Sequence, residues 1–240
     1  MLPSITPDQI LFLDIETVPE VSSFSELPEK KQILWDKKST YFRKDESPED
    51  VYQRAGIYAE FGKIICISVG MTFLKDGIRN IKLHSYFGDD EGTLLQEVIE
   101  LLEKLNKKPE ILLCAHNGKE FDFPYMARRM LIRGLPLPST LNVAGKKPWE
   151  VPFLDTLELW KFGDYKHYTS LELLADLFGI PTPKDDLDGS QVCDAYWKDH
   201  DLARIVKYCE KDVLTVAQLF LRFQGLPLIE EDHIFFSEEE

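Results

Sequence analysis

Three features of the sequence predict an α/β fold, a mixed sheet combining an antiparallel hairpin with parallel strands and flanked by helices. Two β-rich runs, 63–73 and 78–87, are split by Lys75-Asp76-Gly77, which suits a hairpin turn. The hydrophobic period then lengthens, with Leu94, Leu95, Val98, Ile99, Leu101, Leu102 and Leu105 at helical spacing within 91–106. A long amphipathic pattern over 201–222 closes the chain, so strands alternating with helices follow an antiparallel set.

The first strand is expected at 10–15 and ends near a carboxylate, with Pro19 stopping further ladder pairing. Residues 20–60 are rich in charge and broken by Pro28 and Pro48, and stretches such as 29–35 and 48–58 suit short helices. This segment reads as an insertion over one face. After the helix at 91–106, residues 111–115 form another buried strand, and 121–133 a helix stopped by Gly134 and Pro136. A short strand is expected at 151–154, and Asp155 caps a helix over 157–161. Thr169-Ser-Leu-Glu172 reads as a capping box opening a helix that stops at Gly179, before Pro181. No internal repeat appears, and the acidic run at 230–240 reads as a solvated tail.

At 240 residues, 44% hydrophobic and 12% aromatic, the chain can bury one large core, so a single domain over 1–240 is expected. It carries neither a signal peptide nor an apolar run long enough to span a membrane, which predicts a soluble, cytoplasmic protein. Cys66, Cys114, Cys193 and Cys209 contain no C-x-x-C pair and read as reduced thiols. Twenty-eight basic against 42 acidic residues give a net charge of -14, which excludes binding of nucleic acid through a broad basic surface. Any such contact must be local. The stretch 124–168, with seven Lys or Arg against four acidic residues, is its best candidate, an ordinary mixed surface being the alternative.

Asp14 and Glu16, two apart on one strand, share a face and offer oxygen ligands to a hard divalent cation, although solvent carboxylates at a strand end would look the same. Asp122 follows a strand and starts a helix, a place that favours an acidic group for electrostatic reasons alone. His116 is open to a ligand role or to that of a satisfied half-buried histidine, and Asn117-Gly118 suits a tight turn whatever the function. Tyr208 and Asp212, at i and i+4, share a face of the closing helix, where a tyrosine could equally be core. Asp185, Asp186 and Asp188 read as turn residues with a substrate contact left open, and Lys207 and Lys211 as an exposed helix face.

Together, Leu13-Asp-Ile-Glu-Thr17, His116-Asn117 with Phe121-Asp-Phe-Pro-Tyr125, and Tyr208-x-x-x-Asp212 resemble the three motifs of the DEDD exonucleases, in the branch that uses tyrosine. Their wording is similar to that of the proofreading domain of family B DNA polymerases. Asp188-Gly-Ser-Gln-Val192 and Tyr208-Cys-Glu-Lys-Asp-Val213 resemble a bacterial family of stand-alone exonucleases related to that domain. The resemblance, from about residue 10 to 222, implies a ribonuclease H-like fold and two divalent ions, Mg²⁺ or Mn²⁺, held by Asp14, Glu16, Asp122 and Asp212. It implies Tyr208 as the residue that aims water, substrate contacts at Thr17, Asn117 and Phe121, and a nucleic-acid substrate with a 3′ end, single-stranded or frayed, DNA favoured over RNA.

Two other functions compete for the same residues. Leu11-Phe-Leu-Asp-Ile-Glu-Thr17 also resembles the first motif of haloacid-dehalogenase-like phosphatases, with Gly88-Asp-Asp90 as a later acidic motif. That family needs an aspartate where Glu16 stands, and Gly88-Asp-Asp90 directly follows a hairpin. A non-catalytic nucleic-acid-binding module is weakened because every expected carboxylate is present.

Overall fold

The computed structural model describes residues 5–107, 111–164, 168–181 and 187–237. Lys166, one of the seven basic residues counted over 124–168, Asp185, Asp186 and the last three residues of the acidic tail lie outside the described residues.

Among the described residues, six strands form one sheet: β1 (Ile10–Pro19), β2 (Gly62–Lys75), β3 (Ile78–Phe87), β4 (Leu112–Ala115), β5 (Leu154–Asp155) and β6 (Ile234–Phe236). Their order is β5-β4-β1-β2-β3-β6. The pairs β1–β2 and β2–β3 are antiparallel, whereas β4 on β1, β5 on β4 and β6 on β3 are parallel. An antiparallel meander whose first strand then takes a parallel strand on its free side is the ribonuclease H-like arrangement, and it bears out the mixed sheet expected from the sequence.

Side-chain alternation divides the sheet into two faces. Leu11, Leu13, Ile15, Ile67 and Val69 meet α2 (Glu91–Leu105) and α3 (Asp122–Ile132) in the main core. Ile10, Phe12, Ile81, Leu83 and Cys114 meet α7 (Leu202–Phe223) through Val213, Val216, Ala217 and Phe220. A buried ion pair fastens α2 to α3: the carboxylate of Glu91 accepts from Arg129 Nε and Nη2 and Arg133 Nε at 2.6 to 2.8 Å, and from the Ile64 amide. Residues 20–60 hold α1 (Glu29–Ser39) and a 3-10 turn (Tyr52–Ile57), which wrap Trp35 in a separate apolar cluster with Leu27, Tyr52 and Phe61.

Several elements depart from the sequence reading. β1 runs past residue 15 and ends at Pro19, opposite Gly62, where the proline stops the ladder as expected. β5 lies later than 151–154, since Leu154 and Asp155 are the residues that reach Cys114 and Ala115 of β4. α5 (Leu171–Leu177) is capped by Ser170, whose hydroxyl accepts from Leu173 N, rather than by Thr169, whose carbonyl is taken by His116. The short α6 (Val192–Trp197) was not anticipated. Neither was β6, within the run read as a solvated tail; its Ile-Phe-Phe pairs with β3, and Phe235 meets Phe73.

Candidate active site

The site is built where β1 leaves the core. Asp14 and Glu16 project on the α7 face, opposite Ser68 and Cys66 of β2. Immediately beyond, the register slips between Glu16 and Thr17, so that Thr17 pairs with Ile64 and Ile65 is the extra residue. A bulge of this kind re-aims side chains at a strand end. Glu16, only 8% exposed, shares the face of Asp14 through strand alternation.

α7 supplies the other wall and comes very close. A Cβ added at Gly70 would stand 3.0 Å from Val213 Cγ1 and 2.8 Å from Leu83 Cδ2, so this glycine is what admits the helix to the sheet. One turn earlier, Cys209 Sγ lies 3.4 Å from both Asp14 Oδ2 and the Asp14 carbonyl, donating to them. Asp14, Glu16 and Cys209 offer ligand atoms within 4.8 Å of one another. Tyr208 hydrogen-bonds to Asp212, and the charges of Asp212, Glu16 and Asp14 act on its phenol. The pair expected from i, i+4 spacing therefore does face the carboxylates of β1.

Asp122 enters from the start of α3, 3% exposed, and its Oδ1 accepts from the Ile15 amide between Asp14 and Glu16 at 3.2 Å. The turn before it is held by Asp155, which accepts from the amides of Asn117 and Lys119 at 2.9 and 3.1 Å and from Leu157 N at the start of α4 (Thr156–Lys161). Asp155 is thus the helix cap expected of it, and it also braces this turn. Asn117 sits at φ 63°, where its short polar side chain is tolerated, and its carbonyl accepts from Phe121 N. His116 is the satisfied histidine: Nε2 donates to the Thr169 carbonyl and Nδ1 takes the Thr156 hydroxyl, both at 2.9 Å. Burial lowers its pKa, which keeps it neutral in this role. Phe121 packs on Tyr125, which donates to the Gly56 carbonyl at 2.7 Å and also bonds Thr17. The second motif therefore braces the strand that bears the first.

Four carboxylates in one water-poor site repel one another. Burial, then Asp122, Glu16 and Asp212, push the Asp14 carboxyl well above its ordinary value; burial and Asp212 do the same for Glu16. Burial lifts Asp122 to about 7, with Asp155 and Asp212 adding to the lift. The Tyr208 phenol is raised far above its usual range, first by burial and then by Asp212, so it stays protonated and donates. A site where Asp14, Glu16 and Asp122 are held up in this way is suited to cations, which would replace the missing solvation and cancel the repulsion.

Comparison with known proteins shows the family. Residues 57–230 match the model of a family described as predicted 3′-5′ exonucleases related to the exonuclease domain of PolB. The chain belongs to this exonuclease family. The matched span contains Asp122, Tyr208 and Asp212, while Asp14 and Glu16 lie upstream of it on β1. A family B DNA polymerase from the hyperthermophilic archaeon Pyrobaculum calidifontis is similar at 15% identity and a TM-score of 0.48, over 88% of this chain and 24% of the polymerase. This chain thus corresponds to about a quarter of that polymerase's length. No curated protein matches.

In this exonuclease-family chain Gly88-Asp-Asp90 has other work, since Asp90 caps α2 and Asp89 accepts from Tyr196 Oη. Asp188 accepts from Ser190 N, as a turn residue does, yet a Cβ added to its neighbour Gly189 would lie 3.9 Å from Tyr208 Oη, so this loop borders the site. The stretch 124–168 loses much of its positive charge as a contact surface, because Arg129 is buried on Glu91 and Arg133 also bonds it. Sequence reasoning missed Cys209, although its place between Tyr208 and Asp212 on one helix was a usable signal. It also missed Tyr168, whose ring meets His116 edge-on and feels the charges of Asp122, Asp155, Asp212 and Asp14 while 65% exposed. No local pattern announces Tyr168.

Proposed function

We propose that this chain trims nucleotides from the 3′ end of a single-stranded or frayed nucleic acid, DNA in preference to RNA, with two divalent cations, Mg²⁺ or Mn²⁺. The observation that carries the reading is the convergence of Asp14, Glu16, Asp122 and Asp212, from β1, α3 and α7, on one site, where the Asp212 charge helps to raise the other three carboxyls. The donor set fits: all four are hard oxygen ligands, the kind such ions select. Asp14, Glu16, Asp122 and Asp212 would hold the ions. Such ions, when bound, make water more acidic and offset the charge gathering on the attacking and leaving oxygens of a phosphodiester.

The chain's own groups supply position. Tyr208, protonated and donating to Asp212, keeps phenolic lone pairs that can accept from a water and aim it. Thr17, Asn117 and Phe121 would be substrate contacts, Thr17 and Phe121 steadied through Tyr125. The family's relation to the PolB exonuclease domain favours DNA. The domain is taken as 1–240, with 20–60 an insertion supported by its separate apolar cluster and 230–240 an acidic tail. No helix among the described residues is long and apolar enough to cross a membrane, and the free thiols accord with a reducing, cytoplasmic setting.

Digestion of end-labelled DNA and RNA oligonucleotides with Mg²⁺, Mn²⁺ or a chelator tests the reading. Shortening from the 3′ end with release of mononucleotides, slowed by a blocked 3′ hydroxyl, is the expected result. Cleavage of circular strands at the rate of linear ones would mean an endonuclease instead.

A further inference from the structure

The sheet face that carries the carboxylates also carries a cation. Along β1, residue pairs with β2 on this face succeed one another as Asp14 with Ser68, Glu16 with Cys66, and Val18 with Lys63. The extra residue at Ile65 keeps Lys63 on that face, roughly 7 Å beyond Glu16 along the strand. Lys63 is 9% exposed. Its Nζ donates to Tyr196 Oη at 2.8 Å and lies 4.7 and 4.9 Å from the ring centroids of Tyr196 and Trp197. Tyr196 Oη passes the bond on to Asp89 at 2.6 Å. Among the described residues Lys63 forms no salt bridge. Of its three N–H donors only the one to Tyr196 meets a protein oxygen among the described residues. Burial lowers its pKa, with the charges of Asp89 and Glu91 working against that.

This ammonium lines a cavity of about 360 Å³ together with Asp89, Tyr196, Trp197, His200 and Leu202. The volume lies in the range of small-ligand sites, which bury apolar and aromatic surface around a few placed polar groups. His200 is exposed at the turn between α6 and α7, at φ 55°. A buried cation without a contacting carboxylate is costly, and an anion seated against it offsets that cost. The Asp89 carboxylate accepts from Tyr196 rather than from Lys63, so the ammonium keeps N–H donors for one phosphate. Aromatic walls beside a single cation answer the problem set by a net charge of -14, which rules out a broad basic track.

We propose that this cavity seats one nucleotide unit, its phosphate on Lys63 and its base against Trp197 and His200. The unit is either a nucleotide of the substrate strand or a free 5′-mononucleotide; the strand as occupant rests on the exonuclease reading above.

The test uses the full chain in chelator, so that no strand is degraded. Anisotropy of a labelled single-stranded oligonucleotide is measured across salt concentrations, with competition by a 5′-mononucleotide or the matching nucleoside. Lys63→Met keeps the stem and removes the charge; it should weaken binding roughly tenfold or more and make the salt slope shallower by about 0.7, as one lost phosphate contact requires. His200→Asn, exposed and compatible with its backbone, should weaken binding several-fold with the slope unchanged. Competition by the mononucleotide but not the nucleoside identifies the free nucleotide as an occupant; no competition by either, with Lys63-dependent oligonucleotide binding, identifies the strand. A folded Lys63→Met with wild-type affinity and slope overturns the proposal. Should Lys63→Met fail to fold, His200→Asn with unchanged binding overturns it as well. A wild-type chain that degrades strands with Mg²⁺ while binding ignores Lys63 keeps the exonuclease and loses the cavity; Lys63-dependent binding without degradation does the reverse.

Discussion

Asp122→Asn tests the electrostatic account of the site. Asparagine keeps the oxygen that accepts from the Ile15 amide at 3.2 Å and removes the charge. In the folded, cation-free chain the Asp122 carboxyl is lifted from 3.8 to about 7, so the folded state holds its proton more tightly than the unfolded state does. Stability from this group is fully present below pH 3.8 and is lost as pH rises to about 7. The lift corresponds to roughly 4 kcal/mol at most. Asp14 and Glu16 are raised in the same direction and steepen the loss, each retained proton adding about 1.4 kcal/mol per pH unit. Urea unfolding in chelator should therefore show wild-type stability falling through this window and Asp122→Asn falling less steeply, by about one proton. Above pH ~7 the variant should be the more stable, by up to about 4 kcal/mol. Saturating Mn²⁺ should narrow this gap, since wild type gains about 2.7 kcal/mol at a hundredfold excess over Kd and the variant gains less. Parallel pH profiles, with the variant the less stable in chelator, would show that Asp122 is a contented helix-start residue and refute the argument.

Asp14→Ala or Asp212→Ala should abolish nuclease activity while leaving the melting temperature in chelator unchanged or higher, because removing a carboxylate relieves repulsion; near-normal turnover in either would remove the ligand assignment. Tyr208→Phe keeps the ring and its packing, so single-turnover cleavage at saturating Mn²⁺ should slow by on the order of ten- to a thousandfold with metal affinity almost unchanged. Wild-type rates would reduce Tyr208 to a core aromatic. Glu91→Ala should cost about 3 to 5 kcal/mol in urea unfolding, because Arg129 is left buried without its partner. A loss below roughly 1 kcal/mol would mean that water replaces the carboxylate.

Local chemistry in the sequence determined much of this protein. The hairpin at Lys75-Asp76-Gly77, the helical period over 91–106 and the closing amphipathic helix depend on neighbours in sequence, and all three are where they were expected. So too did the strand that presents Asp14 and Glu16 on one face, the helix start that offers Asp122, and the i, i+4 pair Tyr208 and Asp212, because period and capping fix direction. What lay beyond reach depends on partners far along the chain. The bulge opposite Thr17 exists only once β1 meets β2, and β6 is a strand only because β3 has an open edge beside it. His116 was ambiguous until Thr156 and Thr169 were placed around its ring. Arg129 looked like free positive charge until Glu91, 38 residues away, was folded against it. Residue type and spacing thus settle which groups can face one another within an element, whereas burial, close approach at Gly70 and the raised carboxyls arise when α7 and α3 are packed over β1. Those energies belong to contacts between elements, and only the tertiary structure decides them.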